Sequence, residues 1–150
     1  MPQSLACLNV HLIFSTKHRA RLLHDEMRNS LHSYMATVLK NFACHSVIIN
    51  SVEDHIHLLF GLGRTVAVST AVQEVKTASS KWIKTQGTEL KEFARQGGCA
   101  AYAVSQPNVA GVREYVDNQR EHHRIASCQQ EYHMFLERNG VEYDERYMWD

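Results

Sequence analysis

Residues 44–62 read CHSVIINSVEDHIHLLFGL, and the reading of this stretch decides the fold. Residues 44–51 and 55–62 are both short, apolar and β-rich, and Val52-Glu53-Asp54 between them has the character of a turn. Two such runs joined so closely predict a β-hairpin. Upstream, residues 8–15 (LNVHLIFS) read as another strand, followed by the basic exit Thr16-Lys17-His18-Arg19. Between that strand and the hairpin, residues 25–40 place Met27, Leu31, Tyr34, Met35, Val38 and Leu39 along one helical stripe, with Asp25 as the expected N-cap.

Downstream, residues 66–84 bring Val68, Val72, Val75, Ser79, Trp82 and Ile83 to one helical face. Residues 99–105 (CAAYAVS) form a fourth strand after Gly97-Gly98, and Pro107-Asn108 ends it. A third helix is expected over 109–124. Ser127 with Gln130 forms a capping box that opens a fourth, which Asn139-Gly140 closes. The order β-α-β-β-α-β-α-α predicts an α+β fold: a ferredoxin-like (RRM-like) split βαβ sandwich with a four-stranded antiparallel sheet and helices on one face. The other face is then free for a ligand or a second subunit. Such a fold hosts many functions, so function has to come from a site.

The 150 residues fit a single domain over 1–150, with 44% hydrophobic and 21% charged residues arguing against long disorder. No apolar run approaches the roughly 20 residues that span a bilayer, and the N-terminus lacks the pattern of a secretory leader. No membrane association is expected, and a cytoplasmic location is. Net charge is zero, but residues 1–130 carry an excess of four positive charges, and residues 131–150, an acidic tail, carry four negative ones. A mildly basic body permits a phosphate-rich partner. Cys7, Cys44, Cys99 and Cys128 form no CxxC pair, so they read as buried or half-buried thiols.

Two patterns carry chemistry. His55-Ile56-His57 lies on a predicted strand, where residues two apart share a face with Cα atoms roughly 6.6 Å apart. Two neutral imidazoles so placed can converge on one divalent cation. Tyr115 and Gln119 lie four apart on the predicted third helix, which stacks a phenol, able to act as a covalent nucleophile, beside an amide. A structural role for each pattern is the plainer alternative: two polar residues on a solvated strand, and a tyrosine at the edge of the core. A zinc hydrolase built on His55 and His57 is another, and it would need a third nearby ligand.

Taken together, these residues resemble a family. Asp54-His55-Ile56-His57-Leu58-Leu59 is similar to the histidine–hydrophobic–histidine (HUH) motif, and the Tyr115-x-x-x-Gln119 helix resembles the nucleophile helix of single-tyrosine HUH transposases. These are the small insertion-sequence transposases and the REP-associated tyrosine transposases. Phe14-Ser15-Thr16-Lys17-His18-Arg19, Val75 to Trp82 and Gly98 to Ser105 agree in order, and the likeness runs over roughly residues 8–124.

The resemblance implies a metal-dependent single-stranded DNA transposase. Tyr115 is then the nucleophile, leaving a 5′-phosphotyrosine and a free 3′-OH, and His55, His57 and Gln119 bind Mg2+ or Mn2+. It further implies single-stranded or hairpin DNA as partner, a homodimer whose active sites can be shared between subunits, and a bacterial, nucleoid-associated setting. Lys17, Arg19, Lys76 and Lys81 are candidate phosphate contacts, and His122 and His123 candidates to tune the site. The alternative is a catalytically inactive or domesticated nucleic-acid-binding module of the same fold.

Overall fold

The computed structural model describes residue 3 and residues 5–148, with the side chains of residues 123–125 and 147 left out. Its sheet comprises β1 (Asn9–Ser15), β2 (His45–Ser51), β3 (His55–Gly61) and β4 (Ala100–Val104), in the order β2-β3-β1-β4 with every pair antiparallel. The expected hairpin is β2–β3. The helices are α1 (Asp25–Asn41), α2 (Val68–Lys84), α3 (Val109–Asp117), α4 (Gln119–Ile125), α5 (Cys128–Arg138) and the short α6 (Glu145–Met148). This is the expected α+β arrangement.

Strand alternation sorts the side chains. Val10, Leu12 and Phe14 of β1 and Ile56, Leu58 and Phe60 of β3 face α1 and α2, where Leu31, Met35, Val72, Val75 and Ile83 complete the main core. His11 and Ile13 of β1, and His55 and His57 of β3, therefore point to the opposite face. The register sets Ile13 across from His57 and Ser15 across from His55.

That opposite face is not free, contrary to expectation. Ile13, Ala100 and Tyr102 pack under Tyr132 and Leu136 of α5, with Phe135 alongside, as a second, smaller core. The reason is the stripe Cys128, Tyr132, Phe135 and Leu136 on α5, which needs an apolar surface to cover it. The Ser127–Gln130 capping box that starts α5 is present in full, and Gly140 after its end takes a positive φ of 64°.

Two further expectations are corrected. The helix expected over 109–124 breaks at Asn118 into α3 and α4. Asn50 on β2 donates its side-chain N–H to the carbonyls of Val116 (2.9 Å) and Asp117 (3.1 Å), so a strand residue takes acceptors from the last turn of α3. Asp25 is not a cap either: His24 holds that position, and the Asp25 carboxylate pairs with Arg28 and Arg120 instead.

The packing of α1 on β2 makes stability pH-dependent. His32 on α1 has Nε2 2.7 Å from Ser51 Oγ. Burial, aided by the charge of Arg28, lowers its pKa from 6.5 to about 4. Between those values the unfolded chain binds a proton that the folded chain does not, so stability falls as the pH drops from 6.5 towards 4. Urea midpoints measured across this window are expected to fall less steeply in His32→Gln than in the wild type.

Candidate active site

β3 is central in the sheet, and α5 lies over the face that bears its histidines. Both imidazoles are therefore fully buried, at 0% exposure. Each is held by one ring nitrogen. His55 Nδ1 donates to Asp54 Oδ1 at 2.7 Å, and His57 Nδ1 lies 2.9 Å from Nε2 of His11. Each thus turns its Nε2 towards the space under α5. An outer partner on one nitrogen fixes which nitrogen is offered inward.

The group that meets them is Glu131, on the first turn of α5. Its Oε2 is 3.2 Å from His55 Nε2 and its Oε1 3.2 Å from His57 Nε2, with the residue 3% exposed. Burial pushes its carboxyl up, but the hydrogen bond of His55 and the close approach of the His57 ring outweigh burial and hold it ionised, well below the usual range. Burial likewise opposes charge on His55, yet bonds to Asp54, Cys128 and Glu131 raise its pKa well above the ordinary imidazole value. For His57 burial prevails and lowers it. The two imidazoles around one buried anion are thus shifted in opposite directions.

Tyr115, near the end of α3, projects into the same space. Its O–H donates to Glu131 Oε1, and its ring centroid is 6.1 Å from that of His57. Burial, then the Glu131 carboxylate, raise the phenol above its usual pKa of 10. The His122 ring stacks on it at 4.1 Å and the Phe135 ring meets it edge-on at 5.4 Å, so the phenol is fixed on two sides. Gln119, fully buried, donates Nε2–H to both Glu131 oxygens at 3.0 Å, and that nitrogen is 2.9 Å from His55 Nε2. A cleft of about 420 Å³ lined by Tyr115, His122, Ala126, Gln130, Glu131 and Met134 leads to this cluster.

The donor set fits a divalent cation. One atom from each of His55, His57 and Glu131 lies within 4.8 Å of the others, and the 3.2 Å between each Nε2 and a Glu131 oxygen is close to the roughly 3.0–3.4 Å between adjacent ligands about 2.1 Å from one ion. His57 Nε2 and Gln119 Oε1 are buried without a hydrogen-bond partner. As placed, the Gln119 amide nitrogen faces His55 Nε2 while its own Oε1 has no partner. Reversing the amide would set its oxygen against the carboxylate instead. A cation at the centre satisfies these lone pairs at once.

Tyr115, His55, His57 and Gln119 are thus brought together within one chain, although the break at Asn118 puts the tyrosine and the amide on different helices. His122 joins them, and the side chain of His123 lies outside the described residues. The basic candidates are scattered. Lys17 is exposed and Arg19 half-buried on the turn after β1. Lys81 is exposed on α2, in the layer across the sheet from the histidines. Lys76 is 3% exposed and donates to the carbonyls of Gly97 (3.0 Å) and Gly98 (2.6 Å), 5.5 Å from the Phe14 ring centroid, so it ties the fold together from inside. Burial lowers its pKa from 10.5 to about 8.

Three site residues escape the sequence patterns: Glu131, His11 and Asp54 as partner of His55. Glu131 had a signal, a carboxylate within the buried stripe of an otherwise amphipathic helix. His11 had a weaker one, an imidazole in register with Ile13 on an apolar strand.

The chain is thus an α+β protein that gathers paired strand histidines, a helix-borne tyrosine and a buried carboxylate at one point. The model of the family described as "Transposase IS200 like" matches residues 4–119, and the chain belongs to that family of DNA transposases. It is similar to the ISDra2 transposase TnpA of Deinococcus radiodurans, 24% identical over 119 residues that cover 76% of this chain and 85% of that protein. It is also similar to the transposase for insertion sequence element IS200 of Salmonella typhimurium, at 24% identity over 119 residues covering 77% and 78%. Among solved structures, one from Deinococcus radiodurans described as a transposase shares the fold at a TM-score of 0.64 and 24% identity, over 79% of this chain and 98% of that one. A REP-associated tyrosine transposase bound to a REP hairpin does so at 0.59 and 14%, over 82% and 74%.

The Asp54–His55 pair gives a direct expectation. Removing the outer carboxylate in Asp54→Ala should weaken binding of a divalent ion by about 10–100-fold, read by Mn2+ titration of the protein.

Proposed function

We propose that this transposase cuts and rejoins single-stranded DNA through a covalent bond to Tyr115. The observation that carries the reading is the Tyr115 hydroxyl resting on a carboxylate flanked by both strand histidines. Tyr115 Oη attacks the scissile phosphorus, the bond from phosphorus to O3′ breaks, and the 5′ side stays on the tyrosine while a 3′-OH departs. A 3′-OH attacking the phosphotyrosine reverses the step and joins strands. No external energy source is consumed, because one phosphodiester is exchanged for another.

The chain's own residues prepare this. His122 and Phe135 orient the phenol ring, and Glu131 holds its proton at Oε1. His55 and His57 offer Nε2 to a Mg2+ or Mn2+ ion, with the Gln119 amide beside them. Two imidazoles favour manganese over magnesium, and the oxygen donors keep both within range. Bound there, the ion supplies charge neutralisation at a phosphate oxygen and orientation for in-line attack. Exposed Lys17 and Lys81 and half-buried Arg19 are the remaining candidates for backbone phosphates; internal bonding sets Lys76 apart from them.

The family also supports a homodimer. The outer edge of β4 pairs with no strand among the described residues, an arrangement that a second copy can use. Tyr115 beside the histidines of its own chain supports a site assembled within one subunit, and sites shared across the dimer are the alternative. Among the described residues no helix is long and apolar enough to cross a membrane. The nucleoid, where its DNA lies, is the proposed setting.

Two measurements test these points. Labelled single-stranded DNA from the gene's own flanks, incubated with the protein and Mn2+, should yield a denaturation-resistant adduct. Tyr115→Phe should abolish that adduct while leaving DNA binding nearly intact, and His57→Ala should remove it through loss of the ion. An adduct surviving Tyr115→Phe overturns the nucleophile assignment. Light scattering at micromolar concentration should give twice the 17.2 kDa chain mass, and a monomeric mass removes the dimer.

A further inference from the structure

The carboxylate of Glu131 stands outside the set of residues that the family likeness assigns to the site, and it lies beyond the segment, 4–119, that the family model matches. It is nevertheless the one group that touches all the others. Tyr115 O–H, Gln119 Nε2 and the inward nitrogens of His55 and His57 all converge on its two oxygens. The local chain leaves this placement little freedom. The capping box of Ser127 and Gln130 fixes the first turn of α5, and Tyr132 and Leu136 anchor the helix on Ile13, Ala100 and Tyr102.

The geometry points to Glu131 as a direct ligand of the cation that also positions the nucleophile: a single carboxylate joins the ion to the Tyr115 hydroxyl. This rests on the proposed cation site and extends it. Three features argue for it. A buried carboxylate needs positive charge close by, and a divalent ion between the imidazoles supplies more than the His55 proton does. Two imidazoles with one carboxylate make a donor set with an anionic member, which holds a divalent ion in the free protein, before a phosphate arrives to help. And the oxygen that accepts the Tyr115 hydrogen bond is the one 3.2 Å from His57 Nε2, so whatever fixes the carboxylate on the ion also fixes the phenol beside it. Gln119, donating to both carboxylate oxygens, braces this arrangement.

The test uses the full chain without DNA. Mn2+ is titrated into wild type, Glu131→Gln and His57→Ala, with the bound ion read by electron paramagnetic resonance and the fold by circular dichroism. Glu131→Gln keeps the side-chain shape and removes the anionic donor. It should weaken Mn2+ binding by about 100-fold or more, since even partners outside the ligand shell are worth about 10–100-fold. At saturating Mn2+ its adduct should form more slowly than in the wild type with the DNA concentration for half-maximal rate unchanged, the signature of a mispositioned phenol. Mn2+ affinity within about threefold of wild type overturns the ligand role, a ligand loss being expected to exceed the smallest outer-partner effects. A wild-type adduct rate at saturating Mn2+ overturns the positioning role. His57→Ala separates the two levels of the argument: if it binds Mn2+ as the wild type does, the cation site itself falls, whereas if only Glu131→Gln does so, the site stands and Glu131 leaves it. Should Glu131→Gln lose its helical spectrum, Glu131→Asp takes its place: it keeps the charge but draws it back by one methylene from ion and phenol, so Mn2+ affinity and the adduct rate at saturating Mn2+ should both fall, and wild-type values of either overturn the corresponding role.

Discussion

An ionised carboxylate beneath a helix, away from water, is expensive unless positive charge and hydrogen bonds meet it. Glu131 is in that position, and much of the site is arranged in answer. Two imidazoles, an amide and a phenol turn their polar atoms to it. Those groups come from β3, α3 and α4, so the requirement of one side chain draws three elements to one point. The outer partners, Asp54 on His55 and His11 on His57, settle which nitrogen each ring presents, and the apolar contacts of α5 keep the carboxylate from retreating into solvent.

Catalytic demand and folding stability pull in different directions here. The pKa of His55 is raised, that of His57 lowered and that of the Tyr115 phenol raised, each away from its value in water. Such displaced groups cluster where chemistry is done. The main core on the far side of the sheet carries the fold while this face holds its uneasy polar cluster. The sheet separates the two tasks: alternate residues of β3, Ile56 and Leu58 on one side, His55 and His57 on the other, serve them in turn.

The sheet and its two packed helices were legible in the sequence because period-two and period-3.6 patterns are local and run without conflict from Leu8 to Ser105. The histidine pair was legible because its spacing along one strand is a local matter too, whereas Tyr115 and Gln119 meet although the break at Asn118 removes the helical spacing that paired them. What could not be read arises from contacts distant along the chain. The helix breaks at Asn118 because Asn50, on a strand 66 residues earlier, takes the carbonyl of Val116. Asp25 leaves the capping position for Arg28 and Arg120, the second of them 95 residues away. The second sheet face reads as open until α5 is seen to lie on it. Glu131 was hidden for the same reason, though a charge inside the buried stripe of α5 marked it.

Among the described residues the two cores differ in size, eighteen buried residues on the α1–α2 side against five on the α5 side. Tyr115 and Glu131 are only 16 residues apart, whereas His55 and Glu131 are 76 apart. The segment from α3 to α5 is thus a short excursion closed on itself and fastened by few apolar contacts. Local opening draws on such low-cost regions first. Amide protons in this excursion are expected to exchange with solvent before those of β1 and β3, the roof parting from the floor without surrender of the frame that gives both their shape.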